Sequence, residues 1–259
     1  MADALPLRGM HAVVTGGGRG IGLAVARRLA GLGASLTLLG RDRAQLYDAV
    51  QSLGGATCDA HACDVRDEQS VAAAFGAIER AGHRPAVLVN NAGRAASARL
   101  AATDAALWHD MLAVNLTGVY HCTRAALPHL LEAPAGRIVN IASTAALVGY
   151  PYVTAYCAAK HGVLGLTRAL ALELASSRVT VNAVCPGYTE TDLVRSAISN
   201  IVERTGKTAA DARAALTARN PQRRLIQPDE IAAVVGWLCL PEAQSINGAA
   251  MPVAGGEVN

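Results

Sequence analysis

Aromatic side chains are scarce: only 3% of the 259 residues are Phe, Trp or Tyr, and Phe occurs once. A core made without them relies on small aliphatics, and Ala, Gly, Val and Leu dominate the chain, which suits helices packed closely on a sheet rather than an aromatic-rich sandwich. Paired-cysteine spacing is missing too. The six cysteines, Cys58, Cys63, Cys122, Cys157, Cys185 and Cys239, include no CxxC pair, and no metal is expected. The N-terminal stretch MADALPLRGMH lacks the basic-then-apolar pattern of a secretory leader, so the expectation is a cytoplasmic protein with reduced thiols serving mostly as core filler. Long apolar runs are absent: Ile231 to Leu240 is about ten residues, against the roughly 18 that cross a bilayer, so no membrane partner is expected. Charge of one sign is lacking as well. The net charge is +3, from 23 basic and 20 acidic residues scattered along the chain, which argues against a nucleic-acid stripe or a membrane-binding face. What remains is a chain with 52% hydrophobic residues and no internal repeat, of a length that fits one α/β domain over residues 1–259.

The pattern begins as strand, glycine turn, helix. His11 to Thr15 (HAVVT) is β-branched and stops at Gly16, and Ile21 to Leu32 resumes with helical spacing. The turn TGGGRGIG at 15–22, with Gly18, Arg19 and Ile21 inside it, sets Gly16, Gly20 and Gly22 in a GxxxGxG spacing. Such glycines let a backbone approach a pyrophosphate, held by amides and by the positive end of the helix, although a plain tight turn has the same composition. The strand Ser35 to Leu39 ends in GRDR. An arginine about twenty positions beyond the glycines accommodates the 2'-phosphate of NADP, so Arg41, with Arg19 and Arg43 nearby, predicts NADP; a solvated Arg41 with Asp42 binding the ribose would give NAD. A helix over 44–53 leads to a strand at 60–63 closed by Asp64 and Val65, with Asp64 either meeting adenine or capping the next helix, 68–81. The apolar strand 86–89 runs into NNAG (90–93), whose Asn91, Ala92 and Gly93 either tie strands together or line a cofactor crevice. Asn115 is an amide on an otherwise apolar helix face and needs a buried partner.

The strand RIVNIA (137–142) leads into Ser143, and thirteen positions on comes Tyr156, with Lys160 four further. On a helix, side chains at i and i+4 share a face, so the ammonium is expected beside the phenol, drawing its pKa below about 10. Ser143 is placed to hydrogen-bond the same substrate oxygen. A surface tyrosine next to a solvated lysine is the plain alternative. A sixth strand, 179–184, ends at Pro186 and Gly187, with Thr189 beyond. Residues 188–227 then turn polar, with seven basic and four acidic side chains, forming a candidate lid of two short helices whose basic excess is either a solvated face or a contact for an anionic substrate. A helix at 229–240 and a strand at 248–253 complete the pattern.

Taken together, TGGGRGIG, NNAG, Asn115, Ser143, YCAAK (156–160) and PGYTET (186–191) resemble, in order and spacing, the short-chain dehydrogenase/reductase family, over essentially the whole chain. The resemblance implies an α/β fold: one Rossmann-type doubly wound parallel sheet of about seven strands, helices on both faces and a helical lid insertion, assembled as a homotetramer. It implies a tetrad in which Tyr156 exchanges the proton, Ser143 orients the carbonyl oxygen, Lys160 lowers the phenol pKa and holds the nicotinamide ribose, and Asn115 positions a water linking Lys160 to solvent. It places Gly16, Gly20 and Gly22 at the dinucleotide, Asp64 at adenine, Asn91 to Gly93 at the adenosine ribose, and Pro186, Gly187 and Thr189 beside the nicotinamide. Within the family, RIVNIAST and the long lid look like 3-oxoacyl reductases, polyketide ketoreductases and 3-hydroxyacid dehydrogenases.

The expectation is therefore a reversible NADP-dependent reductase of a small-molecule ketone to a secondary alcohol, on a 3-oxo or 3-hydroxy acyl compound, with Arg195 or Arg204 meeting the phosphates of a CoA thioester. The alternatives are an NAD-dependent dehydrogenase of a small or cyclic alcohol and a dinucleotide-sensing protein without chemistry.

Overall fold

Strand β1 (His11–Thr15) is buried along its whole length, because helices cover both faces of the sheet it belongs to. The computed structural model describes residues 5–258; residues 1–4, part of the stretch considered above for a leader, and residue 259 lie outside the described residues. Around β1 stand β2 (Ser35–Gly40), β3 (Cys58–Ala62), β4 (Pro85–Asn90), β5 (Gly136–Ile141), β6 (Val179–Pro186) and β7 (Ala250–Val253). They form one sheet in the order β3-β2-β1-β4-β5-β6-β7, parallel at every pairing. The order reverses between β1 and β4, and a crevice opens there at the carboxyl ends of the strands.

Alternation along the strands divides the core. Val14, Leu36, Leu38, Val87 and Val139 pack against residues of α1 (Gly20–Gly31), α2 (Arg43–Ser52) and α9 (Pro228–Leu238). Val13, Leu39, Leu88 and Ile138 face α3 (Glu68–Arg80), α5 (Gly118–Glu132) and α6 (Thr154–Glu173). Fully buried leucines such as Leu38 each contribute roughly 1.5–3 kcal/mol of transfer free energy. A polar seam crosses this core: Asn90 donates to Asn140 Oδ1 (2.9 Å) and Thr123 Oγ1 (3.0 Å), and Asn140 donates to Thr167 Oγ1 (2.9 Å). The seam fixes β4 against β5 and both against α5 and α6, so the strand ends that carry the site are held in register.

Three differences from the sequence reading have a clear physical cause. β3 begins at Cys58 rather than Ala60, because as an edge strand it carries the half-exposed Asp59 and His61, which blur the apolar pattern. β7 begins at Ala250, since Gly248 has φ +74° and belongs to the preceding turn. The helix bearing Asn115 is not continuous: α4 (Ala105–Leu112) passes into a widened π turn (Ala113–Thr117) before α5.

The lid expected over 188–227 contains α7 (Asp192–Thr205) and α8 (Ala209–Thr217) and returns through a parallel bridge between Thr189 and Ile226.

Candidate active site

A cavity of about 510 Å³ lies over the carboxyl ends of the strands. Its first wall is the glycine turn, where Gly16, Gly18, Arg19, Gly20 and Ile21 face the space. Gly16 has φ +62°, a left-handed conformation that side chains rarely adopt, and a Cβ there would also meet Asn91 Nδ2 at 2.8 Å. Asn91 holds the turn from the neighbouring strand: its Nδ2 donates to Thr15 O (2.9 Å) and Gly16 O (3.1 Å), while Thr15 Oγ1 accepts from the Asn91 and Ala92 amides (2.9 and 3.0 Å). Of the two readings of NNAG, both apply: Asn90 and Asn91 tie strands, and Asn91, Ala92 and Gly93 line the cavity. Gly22 does not line it. It packs beneath the turn, where a Cβ would stand 2.2 Å from Gly16 O, so its place in the pattern comes from helix-to-turn packing. The N-cap of α1, Arg19, makes no side-chain cap bond and the first turn holds no acidic residue, leaving the positive end of the helix open toward the cavity.

Arg41 lines the same space, next to Gly40. Asp42 is committed elsewhere: its Oδ1 accepts from the Ala44 and Gln45 amides (2.9 and 3.2 Å), capping α2. Arg43 begins α2 and does not line the cavity; Arg19 reaches across its mouth to Asp192 of the lid at 3.5 Å. Asp64 and Val65 line the wall, but the cap of α3 is Asp67. The Asp64 carboxylate is gripped by Arg66 (2.6 Å), which also reaches Asp110 (2.9 Å), itself paired with Arg94 (3.0 Å). The Arg66 hydrogen bond, the largest cause, holds the Asp64 carboxyl below the usual carboxylate range.

The strip from Ser143 to Lys160 forms the facing wall. Tyr156 and Lys160 sit one turn apart in α6, with the amine 5.8 Å from the phenol ring centre, and Ser143 follows β5 closely. Lys160 is 4% exposed, and its Nζ donates to Ile141 O at 2.8 Å. Burial pulls its pKa down to about 8. Here the sequence expectation needs correction: the Tyr156 phenol is not lowered but pushed up to about 12, because burial outweighs the opposing pull of Ser143. Lysine and phenol share one poorly solvated strip, and desolvation moves each toward its neutral form.

Asn115 is fully buried within the π turn. Its Nδ2 donates to Arg94 O (2.9 Å) and Met111 O (3.0 Å), and its Oδ1 accepts from the Arg94 amide (3.2 Å), so the expected buried partner is a backbone segment of the cavity wall. A Cβ on Gly93 would stand 2.8 Å from that Oδ1 and 3.7 Å from Lys160 Nζ, which places the amide beside the amine. Pro186, Gly187 and Thr189 also face the cavity.

The lid arginines behave differently from expectation. Neither Arg195 nor Arg204 lines the cavity; Arg195 is exposed and pairs with Glu190 (3.5 Å) and Asp192 (2.5 Å), and Arg213 pairs with Glu190. Sequence reasoning missed Tyr150 and Tyr188. Both line the cavity and meet edge to face at 6.4 Å, with Arg219 lying 4.6 Å over the Tyr150 ring. The Tyr150 hydroxyl bonds to Thr144 Oγ1 (2.8 Å) and, across 107 positions, to Glu257. Burial first, then the Glu257 bond, pushes the Tyr150 phenol up. No spacing in the sequence signals such a contact.

A glycine turn at a strand-order reversal, facing a serine, tyrosine and lysine in one cavity, defines a dinucleotide-dependent oxidoreductase. The family model described as short chain dehydrogenase matches residues 10–201, and the chain belongs to that family. A protein of Streptomyces coelicolor provisionally named a ketoacyl reductase is 41% identical, covering 95% of each chain. A 3-oxoacyl-[acyl-carrier-protein] reductase of Pseudomonas aeruginosa is 37% identical over 97% of this chain and 98% of its own. Among solved structures, a single-substitution variant of the actinorhodin polyketide ketoreductase with NADPH superposes with a TM-score of 0.92 at 40% identity, covering 96% of this chain and 97% of that one.

Proposed function

We propose that this protein reduces the ketone of a 3-oxoacyl compound to a secondary alcohol, reversibly, with NADPH as the hydride donor. The observation that carries the reading is that Ser143, Tyr156 and Lys160 face the same cavity as the glycine turn and Arg41. The residues present suit the dinucleotide: Gly16, Gly18 and Gly20 line the cavity with bare backbone, and the open end of α1 suits a pyrophosphate. Bound there, the nicotinamide supplies or accepts the hydride.

The rest falls to the chain. The amides at Gly16, Gly18, Gly20 and Ile21, with Arg19 at the rim, hold the pyrophosphate, and Gly22 keeps the turn tight beneath them. Arg41 takes the 2'-phosphate, a role supported by Asp42 being spent on its cap. Asp64 and Val65 flank adenine, Asn91, Ala92 and Gly93 the adenosine ribose, and Pro186, Gly187 and Thr189 the nicotinamide. Tyr156 donates the proton to the ketone oxygen while Ser143 polarises it. A phenol pushed up to about 12 is protonated near neutral pH, so Tyr156 enters the reduction already carrying the proton it gives up. Lys160 holds the nicotinamide ribose and brings charge to the phenoxide as it forms, and Asn115 orders the water through which the lysine regains its proton.

The acyl substrate is supported by the relatives, which include a D-beta-hydroxybutyrate dehydrogenase of Rhizobium meliloti 35% identical to this chain. An anionic group meeting Arg195 or Arg204 is not part of the proposal. The chain is read as a single domain. Assembly as a homotetramer is supported by apolar side chains left outward on α5 and α6, including Leu131 and the 80% exposed Leu172. Cytoplasmic residence is supported by six free cysteines; among the described residues no helix is long and apolar enough to cross a membrane.

Initial rates with NADPH and NADH, against a short 3-oxoacyl thioester and against simple cyclic ketones, test the reading. Faster turnover with NADPH and the thioester is expected. Turnover of cyclic ketones alone overturns the acyl part, NADH preference overturns the assignment of Arg41, and no absorbance change with any substrate favours a dinucleotide sensor.

A further inference from the structure

A second cavity, of about 480 Å³, opens at the other end of the sheet, beside the amino ends of β5 and β6. Its lining holds two guanidinium groups, Arg137 and Arg178, the hydroxyls of Ser177, Thr180 and Ser245, and the amide of Gln244; none of the residues that line it is acidic. Arg137 is the unusual member. It is the second residue of a buried strand and only 3% exposed. Of the five N–H donors on its side chain, Nη1 gives one bond, to Gly136 O at 2.8 Å, and Nε has no partner among the described residues. Arginines at positions 19, 66, 84, 94, 124, 195, 213 and 224 all have a carboxylate within reach; Arg137 has none among the described residues.

A buried, unpaired cation is costly, and burial lowers its pKa, yet a guanidinium stays protonated in proteins. Arginine's planar fork matches the geometry of a carboxylate or a phosphate in two parallel bonds. The immediate surroundings fit the same ligand. Thr180 is the register partner of Arg137 on the adjoining strand and is itself 7% exposed, and Arg178 stands at the rim, adding attraction from solvent.

We propose that this cavity binds an oxyanion, the phosphate or carboxylate group of a small molecule, with Arg137 as the buried anchor and Arg178 at the entrance. The site is separate from the dinucleotide cavity and shares no lining residue with it. Occupancy compensates a buried guanidinium that the fold leaves without a carboxylate, so the ligand stabilises the native chain.

The test is thermal unfolding of the full-length protein with inorganic phosphate, and separately with succinate, at ionic strength matched by chloride, each with and without saturating NADPH. The expected result is a melting temperature that climbs by roughly 2–5 °C for each tenfold rise in ligand above Kd, whether or not NADPH is present. Phosphate acting more strongly than succinate identifies a phosphate group, and the reverse a carboxylate. Arg137→Met is expected to abolish the response. Arg178→Gln, at a rim position outside the buried core, is expected to weaken it about tenfold with turnover unchanged. A response that is equal in wild type and both variants, or that disappears once NADPH is bound, overturns the proposal, as does a structure of the assembled protein in which a carboxylate of a second copy sits on Arg137.

Discussion

The strip from Ser143 to Lys160 and the lid over 188–227 face one cavity and treat charge in opposite ways. In the strip, Lys160 is buried and bonded to a backbone carbonyl, and Tyr156 stands beside it with its proton held tightly. In the lid, Arg195, Arg213 and Arg224 lie at the surface and are paired with Glu190, Asp192 and Glu230. Groups in the strip are moved from their ordinary pKa values by burial, and Lys160 is further held by its bond to Ile141 O. Exposed pairs contribute little individually and can be exchanged without disturbing the sheet. The difference teaches that one wall of the cavity holds its charge by burial and the other by exchangeable surface pairs, so on the proposed function the two walls should respond very differently to substitution.

The contrast is broken most severely at the strip. Tyr156→Phe removes the proton donor and is expected to lower kcat by about 10²–10⁴-fold, with an unchanged melting temperature, measured by NADPH oxidation and thermal unfolding. A smaller effect is expected where the strip's partner wall meets the dinucleotide: Arg41→Ala should raise the KM for NADPH by about 10–100-fold and that for NADH by far less, since only one of the two carries the phosphate.

A third test uses burial at the amino end of the sheet, where His11 bonds Ser35 (2.8 Å) and Thr37 (2.9 Å) and stacks on His83 at 4.2 Å. Burial, and secondarily His83, lowers the His11 pKa from 6.5 to about 4, against a raising influence of Asp59. The unfolded chain therefore binds the proton first as pH falls. Stability from this histidine is complete above about 6.5 and is lost progressively toward pH 4, by up to roughly 3 kcal/mol, in denaturant titrations across that window. His11→Gln should flatten this part of the pH profile.

The smallest effect belongs to the lid. Arg195→Ala should leave kcat within about fivefold, because Arg195 is itself exposed and does not line the cavity. A large loss of kcat would erase the distinction between the two walls.

Much of this is legible in the chain itself. Strands β4, β5 and β6 are buried on both faces, so they read as largely apolar runs; β3, at the edge, does not, and its start lies two residues before the place its apolar pattern suggests. Tyr156 and Lys160 stand out through helical spacing, a local property. The sign of the Tyr156 shift is not legible, because sequence reveals which group is adjacent but not how completely water is excluded. Gly22 reads as a cavity residue because a pattern cannot tell a glycine that admits a ligand from one that admits the chain's own backbone. The Arg66 and Asp110 pair, 44 positions apart, and the bond from Tyr150 to Glu257 depend on tertiary closure alone. The widened turn at Asn115 likewise has no signature in an apolar stretch.

The central claim is that Tyr156 and Ser143 act on one substrate oxygen as a single device, and a double-mutant cycle tests it most directly. Single-turnover rates for Ser143→Ala, Tyr156→Phe and the double variant are predicted to show the double no slower than Tyr156→Phe alone, as residues that act as a unit are strongly non-additive. Losses that multiply, each substitution lowering the rate by its full factor regardless of the other, would contradict the account.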